Sequence, residues 1–293
     1  MAKIAWIGLG VMGFPMAGHL SEAGHDLVVY NRTTSMSEKW TEKYSGRIAL
    51  TPANAAEEAD IVIACVGNDN DLRSIVLGEN GAFSTMKSNS IFIDHTTTSA
   101  SIAREVFIAG REKGLQFIDA PVSGGQVGAE KGILSIMCGG EKDTFRKVED
   151  IISLYSQTCK LIGDVGSGQL AKMVNQICIA GVVQGLSEAL NFGRNAGIDC
   201  EAVLEVISKG AAGSWQMTNR GSTMLTDDYD FGFAVDWMRK DLGICLDEAN
   251  NNGSTLPLTS LVDQFYKEVQ LMGGRRWDTS SLHYRLRKNL ASE

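Results

Sequence analysis

Apolar residues along this chain follow two regimes. In the first half, short, largely β-branched apolar runs alternate with stretches in which apolar positions recur every three or four residues, the spacings of buried strands and amphipathic helices. Lys3–Ile7, Asp26–Tyr30, Ile61–Val66, Ile91–Asp94 and Gln116–Ile118 read as strands, and Leu134–Cys138 with Lys160–Ile162 can complete the same sheet around Gly140. Helical spacing runs from Met12 through Leu20 to a stop at Gly24, continues after the second strand through Tyr44, and occupies Ser99–Lys113. Ile61–Val66 is apolar throughout, as a strand covered on both faces must be. Strands alternating with helices imply parallel βαβ units.

After Gly163 the strand pattern ends. Gln169–Asn195 is a long apolar-periodic run without proline, and Cys200–Lys209, Phe233–Asn252, Pro257–Met272 and Ser280–Leu290 all read as helix. The expected architecture is an α/β domain with a doubly wound, mostly parallel sheet over residues 1–163, then an all-α domain over 164–293. No Pro- or Ser-rich tether separates them, so the boundary is expected at the start of the long helix.

Composition narrows the function. The 293 residues, 44% apolar and 21% charged, suffice for two ordinary cores and exclude a disordered chain. A balance of 27 Lys+Arg against 35 Asp+Glu, net charge -8, leaves no basic face for nucleic acid or an anionic membrane. No run approaches the roughly 20 apolar residues of a membrane span, and the first residues lack the apolar core of a signal peptide. Six cysteines without a CxxC read as buried free thiols in a reducing compartment, which places the protein in the cytoplasm. The four histidines have no metal-ligand spacing and read as surface or satisfied core residues, so no metal is expected.

The chemistry begins at Gly8-Leu9-Gly10-Val11-Met12-Gly13, which follows a strand and opens a helix. In that context GxGxxG is the dinucleotide loop of a Rossmann domain: Gly8 makes the tight turn, Gly10 lets backbone approach a pyrophosphate, and Gly13 lets helix pack on strand. About 20 residues on, an NAD-binding chain carries an acid for the ribose 2′-hydroxyl. Here the second strand ends in Asn31-Arg32-Thr33. Arg32 can pair with a 2′-phosphate, while Asn31 and Thr33 can donate to it, so NADP(H) is favoured and NAD(H) remains possible. Val66, ending the third long strand, joins the expected cofactor contacts.

On the long helix, Lys172 lies three and four residues before Asn175 and Gln176, which puts all three on one face. Carbonyl reduction needs a proton donor for the developing alkoxide. A lysine drawn partly out of water gives up its proton more readily, and a neighbouring amide can hold the substrate oxygen.

Four segments, in order and spacing, closely resemble the signatures of the β-hydroxyacid dehydrogenase family: Gly8–Ala17, Asp119-Ala120-Pro121-Val122-Ser123-Gly124-Gly125, Gly168–Gln176 and Lys240-Asp241-Leu242-Gly243. The resemblance spans essentially the whole chain. It implies that Lys172 is the catalytic lysine, that Asn175 and Gln176 hold substrate, and that Ser123, Gly124 and Gly125 grip its carboxylate, as an anion nest of backbone N–H groups can. It further implies cofactor contacts from Thr97 and Lys240, a homodimer or homotetramer, and a carboxylate-bearing small molecule as substrate. Gly132-Ile133-Leu134 departs from the family's usual Gly-Thr-Leu or Gly-Ala-Leu in packing only, and Gln176 stands where many members have Asn, leaving open which amide reaches the substrate. Trp215, Phe231 and Trp237 are assigned to the core, with pocket lining as the alternative.

The resulting expectation is an NAD(P)-dependent 3-hydroxyacid dehydrogenase or semialdehyde reductase. A 3-hydroxy amino acid dehydrogenase would need an acid to receive the substrate ammonium, and a non-catalytic dinucleotide-binding module would have no use for Lys172. A decarboxylating sugar-phosphate dehydrogenase would need a longer helical region than this chain supplies.

Overall fold

The computed structural model describes residues 1–288, and the chain divides into two compact units, 1–172 and from 173 on. The first runs β1 (Lys3–Ile7), α1 (Gly13–Glu22), β2 (Asp26–Tyr30), α2 (Thr34–Lys43), β3 (Arg47–Ile48), α3 (Pro52–Ala56), β4 (Ile61–Ala64), α4 (Asp69–Leu77), β5 (Ile91–Asp94), α5 (Ala100–Glu112), β6 (Gln116–Asp119), β7 (Val122–Ser123), α6 (Gly125–Lys131), β8 (Leu134–Gly140), α7 (Lys142–Ile152) and β9 (Ser156–Gly163). Helix α8 (Ser167–Asn195) leads into α9 (Cys200–Ile207), α10 (Trp215–Leu225), α11 (Val235–Asn252), α12 (Pro257–Leu271) and α13 (Leu282–Lys288).

The strands form one mostly parallel sheet in the order β3-β2-β1-β4-β5-β6, continued by β8, which runs antiparallel to β6 and β7 and carries β9 parallel on its outer side. Leaving β1 in both directions, first to β2 and then to β4, makes the sheet doubly wound and opens a crevice at the carboxyl end of β1. The all-apolar reading of the third long strand holds: every residue of Ile61–Ala64 is buried, between a cluster around Trp6, Met16 and Ile63 and a second around Val62, Phe92 and Phe117. The strand stops at Ala64, and Cys65 and Val66 already belong to the loop.

Local chemistry explains the helix starts. Ser99 caps α5 by accepting the Ile102 N–H, as Asn68, Asp199 and Ser214 do for α4, α9 and α10. The sequence pattern did not resolve α3, α4, α6, α7 or α10; α3 and α6 span only five and seven residues, whereas α7 buries Thr144, Phe145, Val148 and Ile152 on one clear face. The predicted helix Ser280–Leu290 begins as a single 3-10 turn at Thr279–Ser281, and its last two residues lie outside the described ones.

The expectation that no segment could span a membrane needs qualifying. By length and composition alone α8 could. Its buried face nevertheless carries Gln169, Lys172, Gln176, Gln184 and Ser187, polar groups that hydrocarbon would leave unpaired. In the helical unit, Ala180 and Val183 of α8 join Met238, Leu242, Val262 and Tyr266 in the core. Trp215 and Trp237 were expected in that core and are not: both are exposed, and Trp215 and Phe231 instead stack on the Arg220 guanidinium, whose Nε is paired with the buried Asp278.

Candidate active site

The glycine loop is held from beneath. The indole N–H of Trp6, fully buried in β1, donates to the Gly8 carbonyl oxygen at 2.9 Å. Trp6 stacks on His95, which is clasped between the Ala120 carbonyl at 2.6 Å and the Tyr155 hydroxyl at 2.9 Å and pushed by burial down to about 4. Gly8 has φ +101, and a Cβ there would overlap the Cys65 carbonyl; one at Gly13 would overlap the Gly8 carbonyl. At Gly10 a Cβ would meet nothing within 4 Å. Gly8 and Gly13 are therefore required by the fold, whereas the space over Gly10 is open. Helix α1 starts with neither a side-chain cap nor an acid in its first turn, leaving the positive end of its dipole uncompensated by side chains. An open Cβ position beside such a helix start fits a pyrophosphate.

At the end of β2, the Asn31 amide oxygen accepts the Leu9 N–H at 2.9 Å and its amide nitrogen donates to the Thr33 carbonyl, so Asn31 splints the glycine loop. Arg32 and Thr33 are exposed. Nη1 of Arg32 is 3.0 Å from Asp71 at the start of α4, and the remaining donors of its fork lie on an 84% exposed side chain. Val66 lies against Gly8, and its N–H donates to the Thr96 hydroxyl at 3.0 Å. Thr97 is half-buried in the loop after β5, between the buried Thr96 and Thr98.

Ser123 ends β7, opposite Ser135 of β8, and is half-buried, while Gly124 and Gly125 are exposed with positive φ, which turns the chain into α6. The same β6–β7 segment begins with Asp119, buried at the end of its strand and accepting the Gly166 and Gln169 N–H groups at 2.8 and 3.0 Å. Burial pushes its carboxyl up to about 6 against the pull of those hydrogen bonds. Its register partner Asp94 is also fully buried and is pushed up to about 7 for the same reason. Lys172 follows on the first turns of α8 and is buried.

In the helical unit, α8 presents Asn175 and Gln176. Gln176 is buried; its amide oxygen accepts from Asn175 at 2.8 Å and its amide nitrogen donates to Asp241 at 2.6 Å. Asp241 is ion-paired with Lys240 at 3.0 Å, and the Lys240 ammonium lies 5.9 Å from the Trp237 ring centre. The structure thus gathers Gln176 and Lys240 around one carboxylate, with Asn175 on the Gln176 amide, and gathers Asn31 and Val66 around the glycine loop. Sequence reasoning did not single out Trp6, Asp71 or Asp94, and quoted Asp119, Gln169 and Asp241 only as parts of motifs. A charged residue directly before Ala-Pro at a strand end, and one beside Lys240, were the available signals. The backbone partners of Asp119 and the amide partner of Asp241, Gln176, lie far away in sequence.

Comparison with known proteins agrees with this geometry. Residues 3–163 match the family model for the NAD-binding domain of 6-phosphogluconate dehydrogenase, and residues 166–286 the NAD-binding domain of NADP-dependent 3-hydroxyisobutyrate dehydrogenase. An uncharacterized oxidoreductase of Shewanella frigidimarina is 61% identical, covering 99% of both chains. The 2-hydroxy-3-oxopropionate reductase of Escherichia coli is 33% identical over 96% of this chain and 95% of its own. Among solved structures, the 3-hydroxyisobutyrate dehydrogenase of Mycobacterium tuberculosis with L-serine superposes with a TM-score of 0.87 at 27% identity, over 98% of this chain and 99% of that one. The chain belongs to the β-hydroxyacid dehydrogenase family and is an NAD(P)-dependent oxidoreductase acting on a CH–OH group.

Proposed function

We propose that this protein reduces small semialdehydes bearing a carboxylate, with NADPH in preference to NADH, and in reverse oxidises the corresponding 3-hydroxy acids. The observation that carries this reading is Lys172, a buried lysine on the first turns of α8 with Asn175 and Gln176 one turn further on. Bound NADPH would supply the hydride. Lys172 would give its proton to the carbonyl oxygen as charge develops there, so that aldehyde, hydride and proton together make the alcohol. Ser123, Gly124 and Gly125 would receive the carboxylate, and Asn175 and Gln176 would orient the substrate. Gly8, Leu9, Gly10, Val11, Met12 and Gly13, with Val66, Thr97 and Lys240, would hold the cofactor. The exposed fork of Arg32, beside Thr33, would take its 2′-phosphate.

A second reading, oxidation of a 3-hydroxy amino acid, is favoured by Asp241, a buried carboxylate 2.6 Å from the Gln176 amide and able to receive an ammonium. It is favoured too by the L-serine in the Mycobacterium structure. We further propose a homo-oligomer.

The test is NADPH and NADH consumption with glyoxylate and with succinic, methylmalonic and tartronic semialdehydes, and NADP reduction with L-serine. Turnover of a semialdehyde should fall at least about a hundredfold in Lys172→Ala, and Arg32→Ala should weaken NADPH about tenfold while leaving NADH nearly unchanged. Turnover of L-serine alone would favour the second reading, and tight cofactor binding without turnover of any substrate would overturn both.

A further inference from the structure

Several helices of this protein are capped by a residue directly before them, as α5 is by Ser99 and α10 by Ser214. Such a cap fixes a helix end only to its own lead-in. Helix α8 is held differently. The Asp119 carboxylate, from the end of β6, accepts the Gly166 N–H on one oxygen at 2.8 Å and the Gln169 N–H on the other at 3.0 Å, 47 and 50 residues away. A Cβ at Gly139 or Gly168 would come within 2.9 Å of that carboxylate, so both approaches require glycine.

Gln169 makes a second tie. Its amide oxygen accepts the Thr98 N–H at 3.0 Å and its amide nitrogen donates to the Thr96 carbonyl at 2.7 Å, both in the loop after β5. Asp119 and Gln169 have no exposed surface. The carboxylate meets the positive end of a 29-residue helix, which fixes that end along its axis, and the amide pins its rotation. Lys172 is three residues past Gln169, about 4.5 Å along the axis, and Ser123 is four residues past Asp119 on the same segment.

We propose that Asp119 and Gln169 are positioning residues for Lys172, setting the placement of its ammonium relative to the Ser123–Gly125 loop. The proposal rests on the reading of Lys172 as proton donor. A carboxylate buried away from water is a costly cap where a serine would serve, and what it adds is a fixed relation between helix and sheet.

Asp119→Asn keeps the shape but sets an amide N–H against one of the two backbone donors. It should lower kcat at least tenfold while the NADPH dissociation constant, read by cofactor fluorescence, stays within twofold. Gln169→Met, which deletes both amide bonds at similar volume, should do the same, and serves if Asp119→Asn does not fold. Within a Lys172→Ala background either change should alter the residual rate less than twofold, because nothing is left to position. Losses that multiply in the double variants, or single variants within twofold of the wild-type kcat, would overturn the proposal. Full activity in Lys172→Ala would instead remove the proton-donor reading on which it stands.

Discussion

Gly8 and Gly10 of one loop are glycine for different reasons, and substitution separates them. Gly8 combines φ +101 with contact against the Cys65 carbonyl, so Gly8→Ala strains the backbone and drives a methyl into an immovable oxygen. It should lose more than about 2 kcal/mol of stability, read from urea unfolding. Gly10 has an ordinary φ and open space, so Gly10→Ala should unfold within about 0.5 kcal/mol of wild type yet weaken cofactor binding about tenfold or more, since the methyl stands where a pyrophosphate would approach. Wild-type affinity in Gly10→Ala would place the phosphates elsewhere. The motif was legible from sequence because its spacing between a strand and a helix is local, although the carbonyl that excludes a side chain at Gly8 belongs to the distant Cys65. Asn31 shows the limit: its type and place at the end of β2 suggested a cofactor ligand, and the structure gives its amide a second task that the sequence did not show, accepting the Leu9 N–H and donating to the Thr33 carbonyl.

Elements were legible where burial is one-sided or complete over enough residues to impose a period. The five long parallel strands and α5, α8, α11 and α12 met that condition. The short helices α3 and α6 did not, because five and seven residues make fewer than two full turns, too few for a period to repeat. Of the candidate site, the residues that follow one another on a single element could be read, as Lys172, Asn175 and Gln176 were. The anchors that act across elements could not, since nothing in a linear pattern joins Asp119 to Gln169 or Gln176 to Asp241. The exposed apolar residues of α8, α9 and the turn between them carry a further consequence. Phe192, 73% exposed, and Ile198, half-exposed, line an apolar groove with Leu186 and Val203. A patch of this kind costs solvation unless a second copy covers it. Sedimentation should show a dimer or tetramer, and Phe192→Ser should shift it toward monomer at micromolar concentration. A wild type that sediments as a monomer would remove the oligomer from the reading.

For the molecule as a whole, the same buried groups set how stability depends on pH. Asp94 is fully buried, its Oδ1 accepts the Thr96 N–H, and its Oδ2 has no partner among the described residues. Burial raises its carboxyl from 3.8 to about 7, and that of Asp119 beside it to about 6. A carboxyl raised on folding binds its proton more tightly in the native state than in the unfolded chain. Its cost is therefore absent below about pH 4, grows as pH rises, and is complete once the native group ionises. His95 works the other way, since burial lowers its pKa from 6.5 to about 4, so its cost appears as pH falls below 6.5. Across the acid-to-neutral range the two trends oppose each other, and wild-type stability alone does not isolate either. Asp94→Asn removes the steeper carboxyl contribution and leaves His95 in place. Relative to wild type, the variant should gain on the order of 2 kcal/mol between about pH 5 and pH 8, read as the change in its urea midpoint offset between the two conditions. Parallel pH profiles for the two proteins would mean that Asp94 titrates near its ordinary value, and that the carboxyl ends of β5 and β6 are wetter than their packing indicates.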